Sequence, residues 1–210
     1  RVPGFNYQGA DKLGREFYEM CQKSNPDFLM VGEGCYDLQS QYYGTYTRAD
    51  YWHEPVLRYI DPTVPIACAV IDHNDLNHVN MCLADRYAMS YEVRNFKGHL
   101  GEFPRVMAYG RKVDNLRRRY SDFLWNGEFL DVLGATVKGD NIRYTVFRNL
   151  KNGKKAVVVY NVDTRKANTA SVSIDGSSAP LVMASPEKPS PAKFTGSVTC
   201  LLYTSDAADE

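Results

Sequence analysis

Near residue 126 the hydrophobic pattern changes period, and that change most constrains the fold. Before it, apolar residues recur at helical spacing between short apolar runs. Leu13, Phe17, Met20 and Cys21 fall on one side of a helix predicted over 10–23, with Asp11, Lys12, Arg15, Glu16 and Glu19 on the other. After it, Ile142, Tyr144 and Val146 alternate with Arg143, Thr145 and Phe147, which is the period of a strand. Further runs at 155–161, 170–174, 180–183 and 197–201 are separated by Lys151-Asn152-Gly153, Asp175-Gly176 and a proline-rich stretch at 186–191. An α/β region followed by an antiparallel all-β region is the expectation.

Within the first region, predicted helices cover 10–23, 74–87 and a long segment from Pro104 to about residue 124. The last of these carries Val106, Tyr109, Val113, Leu116, Tyr120, Phe123 and Leu124 on its apolar face, and Lys112, Arg117, Arg118 and Arg119 are expected to face out. Strands are predicted at 27–32, 55–60 and 89–93, and the apolar run 64–71 fits a strand or a short helix equally. The stretch Phe28-Leu29-Met30-Val31-Gly32-Glu33-Gly34-Cys35-Tyr36-Asp37 places an acid where a buried strand ends, between two glycines. An acid at the carboxyl end of a strand that follows a helix is how a (β/α) barrel presents catalytic groups. The glycines allow a sharp turn and close approach of a ligand.

Composition is that of a packed globular chain, with 44% hydrophobic and 24% charged residues and a formal net charge of +0. This balance argues against electrostatic capture of nucleic acid, and no apolar run reaches the roughly 20 residues of a membrane-spanning helix. Five cysteines without CxxC spacing, and histidines (His53, His73, His78, His99) without ligand spacing, predict neither a disulfide framework nor a metal site. No cofactor is expected. The chain opens on Arg1 without a signal-peptide pattern, so it is expected to begin inside a longer protein, and its compartment is left open between periplasmic and extracellular sites and others. The end, Leu201 to Glu210, resembles translated sequencing-adapter bases, so residues 204–210 are expected to be foreign to the fold.

The helix ending in Arg117-Arg118-Arg119-Tyr120, followed by Leu124-Trp125-Asn126-Gly127-Glu128-Phe129 and short strands, resembles the end of many barrel glycoside hydrolases, the α-amylase and α-galactosidase groups among them. Gly32-Glu33-Gly34 with Asp37, and Leu57-Arg58-Tyr59 with Pro62, are similar to a family of large bacterial glycoside-hydrolase-like proteins. Asp61-Pro62-Thr63 departs from that family, which tends to carry an aromatic before the proline and an acid after it. The resemblance implies the C-terminal portion of a TIM (β/α)8 barrel over 1–125, followed by an antiparallel β-sandwich over 126–203. It implies hydrolysis of O-glycosyl bonds by a pair of carboxylates. Glu33 is the catalytic candidate, on about the sixth of eight strands, with a partner on an earlier strand or among Asp37, Asp61 and Glu92.

Asp37, Arg58, Tyr36, Tyr59 and Glu92 are the candidate substrate-binding residues. Arg58 offers a planar fork for a hydroxyl or carboxylate, or a partner that would lower the Glu33 pKa. The tyrosines of 36–52 offer flat faces for sugar rings, and are equally ordinary core material. Carbohydrate is the expected partner. The competing readings are a non-catalytic carbohydrate-binding or scaffold protein, and a barrel lyase or isomerase; the single glycine of Asn95-Phe96-Lys97-Gly98 argues against a phosphorylated substrate.

Overall fold

The computed structural model describes residues 7–33, 42–47, 58–59, 62–71, 76–92, 98–163, 165–177 and 180–200. The chain divides into two compact units, Arg1–Cys68 and Ala69–Glu210.

The first unit begins with helix α1, Tyr7–Ser24, whose end is drawn off by Asn25-Pro26. The Asn25 side chain accepts from the Asp27 backbone N–H, and Gln22 Nε2 donates to the Phe28 carbonyl, which fixes the entry into strand β1, Met30–Glu33. Phe17 meets Phe28 edge to face at 6.2 Å between ring centroids. Strand β1 pairs in parallel with β2, Tyr43–Thr47, so part of the tyrosine-rich segment 36–52 is a strand. The helical stripe of α1 is in the predicted place but is not covered: Leu13 is 68% exposed and Met20 57%. Arg58 and Tyr59, expected on a strand, are helical. The chain then reverses at Pro62-Thr63 toward Ile66 and strand β3, Ala67–Ala69.

The second unit is built around helix α2, Leu76–Ala84, in which every residue is buried. One side of α2 packs on helix α3, Pro104–Arg119, where the Tyr109 hydroxyl donates to Asn80 Oδ1 at 2.7 Å. Strand β4, Ala88–Ser90, follows α2 and pairs with β3. Helix α3 opens with Pro104 in its first turn, as the sequence predicts, but stops at Tyr120. A single turn, α4 (Ser121–Leu124), follows. The other side of α2 meets a three-stranded antiparallel sheet of β5 (Glu128–Phe129), β7 (Ile142–Arg148) and β8 (Lys155–Asn161). Two hydrogen bonds tie that layer down: Thr145 Oγ1 donates to the Ala84 carbonyl at 2.7 Å, and Asn77 Nδ2 to the Val162 carbonyl at 3.3 Å. Phe129 and Phe147 pack edge to face within it, 5.6 Å between centroids. A second three-stranded antiparallel sheet is formed by β6 (Ala135–Lys138), β9 (Asn168–Ile174) and β12 (Ser197–Cys200), and a small hairpin by β10 (Val182–Met183) and β11 (Ala192–Lys193).

This architecture overturns the expected fold class. Among the described residues there is no closed barrel: β1 pairs only with β2 and β3 only with β4, whereas a barrel needs every strand to have two neighbours. The chain is mixed α/β with several small, mostly antiparallel sheets, and not the end of a TIM barrel followed by a sandwich. Strand β8 lies at the edge of its sheet, with β7 in the middle, although its valine run would equally suit a central strand. Its valines are apolar because α2 covers that sheet, not because β8 has a strand on either side.

Candidate functional site

Glu33 is the last residue of β1 and stands opposite Thr47 of the parallel partner β2. The strand therefore delivers it to the carboxyl end of a parallel pair, directly after the buried Gly32. Tyr36, Asp37 and Asp61 lie outside the described residues. Arg58 is 1% exposed, and its Nη1 donates to the backbone carbonyls of Val64 and, at 3.5 Å, Pro62. Its fork thus pins the turn that follows it, a role the sequence reading did not include. Tyr59 is 59% exposed beside it. Glu92 belongs to the second unit, half-buried just beyond β4.

The second unit holds a groove of about 460 Å3 between β4 and α3, which the sequence reading missed. Arg111, Asp114 and Arg118 line it from α3, Met89 and Tyr91 from the β4 side, and Trp125 from the end of α4. The α3 residues are spaced i, i+3, i+7, so the helical period that found the apolar stripe also marks this neighbouring polar one. Arg118 Nε is paired with Asp114 at 2.7 Å, and that carboxylate holds the guanidinium pKa up. Arg111 is exposed and has no ion-pair partner among the described residues.

Arg117 also lines the groove but does not face out as its place in the Arg-Arg-Arg run led us to expect. It is 4% exposed, with Nη1 donating to the Tyr87 carbonyl at 2.8 Å and Nη2 to the Cys82 carbonyl at 2.6 Å. Gly110, Val113 and Arg117 share one buried stripe, so three consecutive arginines cannot all be solvated on a helix turning about 100° per residue. Burial pushes the Arg117 pKa down, Asp114 and Cys82 acting against it. Its guanidinium lies 5.0 Å over the Trp125 ring, and Nε has no hydrogen-bond partner among the described residues. The Trp125 backbone is held from below by Arg86, whose Nη1 donates to the carbonyls of Gly127 at 2.7 Å and Trp125 at 3.4 Å. Tyr91 completes the wall. Burial raises its phenol pKa, so it stays neutral, and its hydroxyl lies against the position that a Cβ on Gly110 would take.

Among the described residues no three His, Cys, Asp or Glu side chains are gathered as a metal site, and no helix is long and apolar enough to cross a membrane. The described cysteines, Cys21, Cys68, Cys82 and Cys200, are free thiols. No family model matches this chain, and no curated protein or solved structure matches it.

Proposed function

We propose that the chain is part of a glycoside hydrolase acting on O-glycosyl bonds of oligo- or polysaccharides, with Glu33 as one of its two carboxylates. The observation that carries this reading is the position of Glu33 at the carboxyl end of a parallel strand pair, after a glycine without a side chain to obstruct it. Hydrolysis needs one acid to protonate the departing oxygen and a second carboxylate to attack the anomeric carbon or take a proton from water. A pair about 5–5.5 Å apart retains configuration, and one roughly 6.5–9.5 Å apart inverts it. Arg58, with Nη1 bonded to the carbonyls of its own turn, acts in this scheme by shaping the 58–64 segment.

A second reading, carbohydrate binding without turnover, is favoured by that same engagement of Arg58, since a fork bonded to backbone has fewer donors left for a substrate. One experiment separates the two. The full-length wild-type protein and its Glu33→Gln variant are assayed on a panel of aryl glycosides and oligosaccharides, with binding followed in parallel by calorimetry. The hydrolase reading expects Glu33→Gln to lose several orders of magnitude in turnover with binding kept, because the amide preserves shape but neither ionises nor donates as an acid. Near-wild-type turnover by the variant overturns the role of Glu33. Binding without turnover in either protein supports the second reading.

A further inference from the structure

The groove between β4 and α3 carries more positive charge than the chain as a whole. Its charged lining is Arg111, Arg117 and Arg118 against the single Asp114, in a protein of formal net charge +0. Asp114 is bonded to Arg118, which leaves the other two arginines without a carboxylate hydrogen-bonded to them among the described residues. For Arg111, in solvent, this costs little. Arg117 is different: a cation nine-tenths buried whose Nη hydrogen bonds all go to neutral carbonyls, with an orphaned Nε. Asp114, already bonded to Arg118, offsets this charge in part through space, and an anion placed in the groove would add to that compensation. Beside it, Trp125 offers an indole 42% exposed, anchored through Arg86 and stacked by Arg117.

We propose that this groove binds an acidic sugar, a hexuronate unit of an oligosaccharide. The exposed fork of Arg111 takes the carboxylate in two parallel hydrogen bonds, a geometry that a planar guanidinium favours. The apolar face of the pyranose ring rests on Trp125, as flat aromatic faces receive sugars. Met89 and Met107 supply adaptable apolar wall around it, and the Tyr91 hydroxyl, which donates to Met89 Sδ, can accept a hydrogen bond from a ring hydroxyl. The volume, about 460 Å3, is within the roughly 300–1,000 Å3 of small-ligand sites and so suits a short saccharide and not a folded partner. The assignment rests on the carbohydrate reading above and narrows it to polyuronates.

The test uses the whole chain carrying Glu33→Gln, so that no turnover consumes the probe, and titrates it with trigalacturonate, with a neutral glucose trimer and with inorganic phosphate. Trigalacturonate is expected to bind saturably, more weakly as salt rises, and about tenfold more weakly in Arg111→Gln and in Trp125→Ala, which is about 1.4 kcal/mol for each. Equal binding of the neutral trimer, indifference to both substitutions, or no binding of trigalacturonate overturns the proposal. Competition by phosphate at the same concentration as the trimer reduces the groove to an adventitious ion site only, and likewise overturns it. Because binding is read in a Glu33→Gln background, failure here leaves the hydrolase reading standing, and loss of the hydrolase reading leaves this one.

Discussion

Helices α1 and α2 both carry apolar residues at helical spacing and end in opposite circumstances. Helix α1 has the stronger segregation of apolar from polar residues, yet Leu13 and Met20 remain in solvent, and its ion pairs, Arg15–Asp11 and Lys12–Glu16, are exposed ones that contribute little. Helix α2 has half the length and three polar residues, yet all of it is buried, Asn77, His78 and Asn80 included. Amphipathic pattern says which face of a helix would prefer cover. Whether cover exists depends on what the rest of the chain brings to it. For α2 that is a helix on one side and a sheet on the other, each attached through hydrogen bonds to its polar groups.

The sharpest way to break this contrast is to remove the sheet's contribution. Phe147 is fully buried between β5 and the α2 layer, and Phe147→Ala is expected to cost about 3–5 kcal/mol in urea unfolding. A loss under about 1 kcal/mol would mean that the sheet does not support α2 as argued. Gly110→Ala comes next. A methyl there meets the Tyr91 hydroxyl, and displacing that ring should cost about 1–3 kcal/mol, with changed near-ultraviolet dichroism as the sign that the groove wall moved.

Smaller still is the acid response of the 161–166 turn. The Arg165 backbone N–H, donating to the Asp163 carboxylate at 2.8 Å, holds that carboxyl pKa below its ordinary range, and the Lys166 N–H acts in the same direction. A depressed folded value means that the stabilisation is complete above the unfolded pKa of about 3.9 and is lost as pH falls through the folded value. Denaturation midpoints of wild type and Asp163→Asn should therefore differ at pH 6 and converge in strong acid; parallel curves throughout would remove the linkage. The smallest effect belongs to α1: Leu13→Ser should change stability by no more than about 0.5 kcal/mol, and a larger loss would show that the stripe of α1 is covered in solution.

What the sequence disclosed follows the range of each interaction. Helices α1, α2 and α3, the end of α3's apolar stripe, and strands β7, β8 and β9 could all be read from local period, because burial of one face repeats every 3.6 or 2 residues. Strand order could not. Alternating helices and strands before residue 100 are compatible with a barrel, but closure depends on pairing between distant segments that periodicity does not encode, and β1–β2 and β3–β4 remain separate pairs. The valine run of β8 misled for the same reason, since a covering helix and a second neighbouring strand ask for the same residues. The place of Glu33 at the end of a strand could be read because a strand, a glycine and an acid are consecutive. The groove is assembled from residues 88 to 125, and only the 111–114–118 spacing hinted at it. Arg117 was concealed by its two neighbours: a run of like charges reads as solvated although the helical turn must bury one of its members.

The total enclosure of α2 has a consequence in time. A nine-residue helix is too short to persist alone in water, so its turns form only as α3 and the β5–β7–β8 sheet close on it. Its amides then have no route to solvent through local fraying, and must exchange at the rate at which the whole second unit opens. Deuterium uptake should therefore find the slowest protons of this unit in one of its shortest helices, while the longer α1 of the first unit exchanges early from its solvent-facing turns.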